Sequence, residues 1–234
     1  MSQLYRLHYA PDNASLIIRL ALEQLRQPYE AVLVDRATGG HKSEAYLALN
    51  PNGLIPVLET PQGPIFETGA VLLWLADRHG ALAPATESPA RGAFLKWLFF
   101  LSNTLHPALR MIFYPSQYIG QDVAAQARLS AHMRGEIARH LDKFEALAGQ
   151  DPAWFGTDMP SALDLYLVCC LRWLALYPEE DCAWFDLGNW PRLRAIATRL
   201  DHCKSAAAAI EAEGLGPCPF SAPSPATPPE GSAT

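Results

Sequence analysis

Tyr9, Asn13 and Ser15 bring two hydroxyls and an amide to the point where a strand pattern gives way to a helical one. A helix start is electropositive, so donors placed there can hold an anion. Their plainer roles are Asn13 as helix cap, Ser15 in the first helical turn and Tyr9 in the core. Glu67-Thr68 marks a second strand-to-helix junction. There the Thr68 hydroxyl and N–H can bind a carboxylate with the helix end assisting, or Thr68 can simply cap the helix. His106, Arg110, Phe113 and Tyr114 follow the spacing i, i+4, i+7, i+8 and share one helical face, either the wall of a site or a polar surface stripe. His41 and Lys42 are cations in a loop that follows two glycines. Metal chemistry finds no pattern. The seven histidines are scattered, and His132 and His140, eight apart, are read without a carboxylate or cysteine to complete a site. Neither G-x-G-x-x-G nor a P-loop is present.

The elements that must position these groups divide at residue 80. Residues 3–9 alternate as a strand, 14–27 carry a broad apolar helical face, and 29–34 read as a second strand, which makes a βαβ unit. A short helix over 43–49 stops at Asn50-Pro51. Strands over 55–60 and 64–67 flank the turn Pro61-Gln62-Gly63, and a helix over 68–79 closes at Gly80. Residues 81–87 read as a linker, and beyond them only helical patterns survive. A helix from Ala90 toward Tyr114 should kink near Pro107. A second runs over 121–149. A third, starting at Ser161, is apolar nearly all round and so belongs at the centre of its domain. A fourth covers 190–212 with a break near His202. The expected domains are therefore 1–80, α/β, and 88–214, all-α. A proline-rich tail over 215–234, with six prolines from Pro217 to Pro229, is expected to be disordered; the other reading lays it over the cleft with Phe220 as anchor.

Composition sets the outer bounds. Eighteen basic against 24 acidic residues give a net charge of −6, which leaves no basic excess for a phosphate backbone and predicts no nucleic-acid partner. No secretory pattern is visible in residues 1–9. The most apolar stretch, 163–177, is short for a bilayer and carries Asp164 and Arg172, so no membrane partner is predicted. Five cysteines without C-x-x-C, two of them adjacent at Cys169 and Cys170, fit small buried hydrophobes in a reducing cytoplasm.

Three stretches together resemble one family. Asn50-Pro51-Asn52-Gly53-Leu54-Ile55-Pro56-Val57-Leu58 is similar to the N-P-x-G-x-[VI]-P-x-L signature of cytosolic glutathione transferases. Glu67-Thr68 stands where that family has Glu/Gln-Ser, and Ser161-x-x-Asp164 resembles the capping box of its central helix. The resemblance spans residues 3 to about 205. It implies a thioredoxin-like βαβ-ββα domain followed by an all-helical domain, a homodimer, and detoxification chemistry in the cytoplasm. Glutathione would be a co-substrate, with no tightly bound cofactor. It also implies a cis Ile55-Pro56 bond that offers the Ile55 backbone to the cysteinyl part of glutathione, with Glu67 and Thr68 on its γ-glutamyl end. His41 and Lys42 would meet its glycine carboxylate, or remain solvated loop charges.

A free thiol ionises near pH 8.5, so a donor must stabilise the thiolate. The candidates are Ser15, then Asn13, then Tyr9. The stretch Tyr9 to Leu16 resembles the bacterial beta class, but Ala14 replaces its cysteine, which excludes a mixed disulfide with glutathione there. Thr104-Leu105-His106 resembles the stretch where beta-class relatives place a histidine. With Arg110, Phe113 and Tyr114 it would border the second substrate, a hydrophobic electrophile, in a cleft between the domains. The alternatives are glutathione-dependent reduction of a peroxide or disulfide, and a non-catalytic binding protein of the same fold.

Overall fold

Alternation in the first strand is realised as β1 (Tyr5–Tyr9), with Leu7 and Tyr9 buried and Arg6 exposed between Glu30 and Glu59. Residues 4–233 are described in the computed structural model; Gln3, expected in this strand, lies outside them, as does Thr234. Helix α1 (Ser15–Gln24) crosses to β2 (Tyr29–Leu33), which pairs parallel to β1. The helix stops short of the expected residue 27 because Arg26 turns left-handed, at φ +52°, and Gln27 N–H closes on the Leu22 carbonyl. Helix α2 (Glu44–Leu49) is capped by Ser43. The hairpin β3 (Val57–Thr60) and β4 (Gly63–Phe66) completes a four-stranded sheet in the order β2-β1-β3-β4, and α3 (Thr68–His79) ends at left-handed Gly80. Leu16, Ile17, Leu20 and Val71, Leu72, Leu75 of α1 and α3 are fully buried beneath this sheet.

The second half is helical. Helix α4 (Arg91–Phe100) passes through a π-helical segment, Leu101–Leu105, into α5 (His106–Phe113). The irregularity thus lies one turn before Pro107, where the missing N–H and the ring would disrupt a regular α ladder. A short α6 (Pro115–Ile119) precedes α7 (Val123–Ala148), which starts where Asp122 accepts from the Ala124 and Ala125 N–H groups. Helix α8 (Ala162–Leu176) is buried along almost its whole length, as its continuous apolar pattern requires. Its capping box forms: Ser161 Oγ accepts from Asp164 N–H, and the Asp164 carboxylate accepts from Ser161 N–H at 2.8 Å. The last pattern divides into α9 (Pro191–Asp201) and α10 (Lys204–Glu213). No helix among the described residues is long and apolar enough to cross a membrane.

The expectation of a disordered tail is corrected. Leu215 and Phe220 are fully buried, and Arg172 of α8 donates to the carbonyls of Leu215, Pro219 and Ser224. Asp201 accepts from Phe220 N–H at 2.7 Å, and Tyr9 donates to Glu230 at 2.6 Å. Prolines bring no N–H groups that need partners but leave their carbonyls free, so such a segment can pack wherever a buried guanidinium collects carbonyls. The segment lies away from the cleft: none of its described residues lines it, and Phe220 borders a second pocket together with Leu171 and Ala175 of α8.

Candidate functional site

The two halves enclose a cavity of about 670 Å³. One wall comes from the sheet domain: Asp12, Asn13 and Ala14 before α1, Leu54 to Pro56 before β3, and Glu67, Thr68 and Gly69 at the start of α3. The opposite wall is helical, with Phe99, Ser102, Asn103, His106, Arg110, Phe113 and Tyr114 from α4 to α5, and Trp173 and Tyr177 from α8 and its end. Gly69 favours close approach across the junction, since a Cβ there would lie 3.3 Å from Ser102 Cβ and Oγ and press that side chain back by a few tenths of an ångström.

Each part of the first wall has a local cause. Asn50 holds the ligand loop: its side chain donates to Leu54 O at 2.7 Å and accepts from Asn52 N–H. Ile55-Pro56 is cis, as expected, and both residues line the cavity. Glu67 sits at φ +72°, a conformation that sterics disfavour, at the turn from β4 into α3. Thr68 follows as the first residue of that helix, nearly buried, beside the positive helix end. Asn13 is half-buried. Its Oδ1 accepts from Ala14 N–H at 2.8 Å, and Nδ2 makes no hydrogen bond among the described residues.

On the helical wall His106 is neutral. Burial, aided by Arg110, lowers its pKa to about 4. Its Nδ1 lies 2.7 Å from Tyr166 Oη, and burial keeps that phenol protonated. With no other acceptor among the described residues for the hydroxyl proton, Tyr166 donates to Nδ1, and the ring proton sits on Nε2. Arg110 lies over the Tyr114 ring and donates to Tyr118.

Family models for the glutathione S-transferase N-terminal and C-terminal domains match residues 14–78 and 123–199. The glutathione S-transferase GST-4.5 of Xanthomonas campestris pv. campestris is 30% identical over 213 residues, 90% of this chain and 99% of its own. The chain belongs to the glutathione S-transferase family. A sphingomonad glutathione S-transferase, solved in complex with glutathione, superposes with a TM-score of 0.72 at 30% identity, covering 90% of this chain and 100% of the other. The disulfide-bond oxidoreductase YfcG of Escherichia coli is 34% identical over 110 residues, 44% of this chain and 51% of its own.

Of the candidate residues, the cavity gathers Asn13, Ile55, Pro56, Glu67, Thr68, His106, Arg110, Phe113 and Tyr114. Four further candidates lie elsewhere. Ser15 is fully buried, and its hydroxyl donates to Ala10 O at 3.0 Å and accepts from Ala10 N–H at 3.2 Å. That corrects its assignment as first choice of thiol donor: a buried hydroxyl whose proton is given to the strand end has none left for a thiolate. Tyr9 is corrected likewise. Its hydroxyl is spent on Glu230, outside the cavity, and burial raises its pKa. His41 and Lys42 occupy a 3₁₀ turn whose His41 carbonyl packs on Gly53, beside the ligand loop and outside the lining. Burial, with Lys42 and Arg36, lowers the His41 pKa, so it is not a cation near neutral pH.

Sequence reasoning missed Asp12, Phe99, Asn103, Trp173 and Tyr177 as lining residues. Only the two cavity-facing turns of the irregular α4–α5 helix carried a sequence signal, through Pro107. The reading of His132 and His140 also changes: Glu136, between them, lies 3.7 Å from His132 and is engaged by Arg139. Among the described residues no group of three or more such side chains is arranged to hold a metal ion.

Proposed function

We propose that the chain binds glutathione on the sheet-domain wall and transfers its thiolate to a hydrophobic electrophile held on the helical wall. One observation carries this reading: a single cavity bordered on one side by Ile55, Glu67, Thr68 and Asn13, and on the other by Phe99, Pro107, Phe113 and Tyr114. The Ile55 backbone pairs with the cysteinyl part, as a strand edge would. The Thr68 hydroxyl and N–H take the γ-glutamyl carboxylate, and Glu67 its ammonium. The free Nδ2 of Asn13 donates to the thiolate, next to the first turn of α1. Binding both reactants in one cavity supplies proximity, and no covalent enzyme intermediate is required. Neutral His106 presents Nε2–H at the same wall, a donor for charge developing on the electrophile.

The relative YfcG supports a second reading, in which the bound thiolate reduces a disulfide. Ala14 in place of cysteine keeps that chemistry on glutathione itself. The likeness to whole transferases along 90% of the chain supports conjugation first. The five cysteines are all unpaired, in keeping with a reducing cytoplasm. The family also supports a homodimer, which light scattering checks by mass.

Retention on immobilised glutathione, followed by rates on matched panels of aryl halides, peroxides and mixed disulfides, tests the reading. Conjugation of aryl halides is expected. Turnover of disulfides alone overturns it in favour of reduction, and failure to bind millimolar glutathione removes both enzyme readings.

A further inference from the structure

Asp12 borders the cavity immediately before Asn13, yet its carboxylate is not available to a ligand. It accepts four hydrogen bonds: from Arg172 Nε at 2.8 Å and Nη2 at 2.9 Å, from Trp173 Nε1 at 2.9 Å, and from the Tyr177 hydroxyl at 2.8 Å. Four donors fill the acceptor positions of a carboxylate. The Asp12 and Arg172 side chains are wholly buried. The Asp12 backbone, at φ +49°, is tied separately: its N–H donates to Glu213 at 2.8 Å, and Glu213 also takes Arg19 Nε at 2.7 Å. The turn is thus held by α8 and by the end of α10, while Glu67, His106 and Glu179 border the cavity on its other sides.

Arg172 is in turn held by the chain end. Nη1 donates to Pro219 O at 3.1 Å and to Leu215 O at 3.4 Å, and Nη2 to Ser224 O at 3.1 Å. The segment returns tightly over Gly214, where any Cβ would lie 2.1 Å from the Thr227 carbonyl, and Thr227 N–H closes on Gly214 O. No residue of 215–233 lines the cavity.

We propose that the segment 215–231 is a brace for the thiol-activating turn: it clamps Arg172, Arg172 fixes Asp12, and Asp12 sets the amide of Asn13 at the cavity. The proposal rests on the reading of Asn13 as thiolate donor. Asp12 and Arg172 are positioning residues, and the brace acts on the ionisation of bound glutathione rather than on its affinity, which Ile55 and Thr68 provide.

The test uses the full chain with Phe220→Ala and, separately, Asp201→Ala, both of which loosen the brace at residues outside the cavity lining. The thiolate absorbance of bound glutathione is titrated against pH, beside its dissociation constant. The expected result is a bound thiol that ionises about tenfold less at a given acid pH, displaced toward its free value near pH 8.5. Its dissociation constant should stay within about threefold, and Phe220→Leu should restore the titration. An unmoved titration in a variant whose segment 215–231 has become protease-sensitive overturns the brace while leaving the function standing. Loss of affinity in step with the thiol shift also overturns it, since that marks general collapse. Failure of the wild type to bind glutathione overturns the functional reading itself, and the brace with it. Should both variants fail to fold, amide exchange of the wild type decides. Saturating glutathione must slow exchange at Phe220 and Thr227 together with Leu16; an unchanged chain end overturns the proposal.

Discussion

His106 stands uncharged in the cavity wall because burial removes the water an imidazolium needs, and Arg110 pushes in the same direction. The consequence for stability has a definite sign. The unfolded chain takes up this proton near pH 6.5 and the folded chain only near 4, so the unfolded state binds more protons between these values and stability falls as pH drops through that window. At about 1.4 kcal/mol per unit the loss approaches roughly 3 kcal/mol. Chemical unfolding at pH 7 and pH 4.5 should show the decline, and His106→Asn should flatten it. Asn13 carries the matching prediction for activity. Deleting one hydrogen bond to a charged group costs about 1.5–3 kcal/mol. Asn13→Ala should therefore slow conjugation roughly 10- to 100-fold, with the greatest loss at low pH, where thiolate is scarce. Ser15→Ala should leave that pH profile unchanged, because its hydroxyl serves Ala10 alone. It should instead destabilise the fold by about 1–2 kcal/mol, measured as a shift in denaturation midpoint.

Two elements set the geometry of the cavity. The π-helical segment Leu101–Leu105 places Ser102, Asn103 and His106 on one wall, and π-bulges occur often where a helix serves a site. Pro107 announces an irregularity in the sequence, but the register of the extra residue depends on what the turn packs against, here Gly69 of α3. Helix α8 shows the opposite case. Its start is written locally in Ser161-x-x-Asp164, and the structure adds a third partner, Gly156 N–H, which donates to Asp164 at 2.8 Å. Asp164→Ala would strand the Gly156 and Ser161 donors in a buried position. The expected cost is about 2–4 kcal/mol, read from the thermal midpoint, with little change in KM for glutathione, because the box lies outside the cavity lining.

At the scale of the whole molecule, buried ion pairs join the domains, Asp12–Arg172 and Arg19–Glu213. Asp12 and Arg172, 160 positions apart, meet with no solvent exposure. Asp12→Ala leaves Arg172 buried without its carboxylate and should destabilise the chain by about 3–5 kcal/mol, well above the effect of an exposed pair such as Arg6–Glu30. Equal denaturation shifts for Asp12→Ala and Glu30→Ala would contradict that ranking. Whereas the cis Ile55-Pro56 bond was implied only by the family resemblance, the sequence by itself determined the strand and helix order, the Glu67-Thr68 junction and the capping box. All of these are set by residues within a few positions of one another, through dihedral preference, hydrophobic period and side-chain reach. The tertiary structure decided which donors are free. Ser15 ranked ahead of Asn13, and Tyr9 behind it, until Ala10 and Glu230, the latter 221 positions from Tyr9, were found to occupy their hydroxyls. It also decided the fate of the proline-rich end, whose composition lacks a core pattern of its own. Its order comes from carbonyls gathered by a guanidinium on a distant helix, and such a contact exists only once the chain has brought the two together.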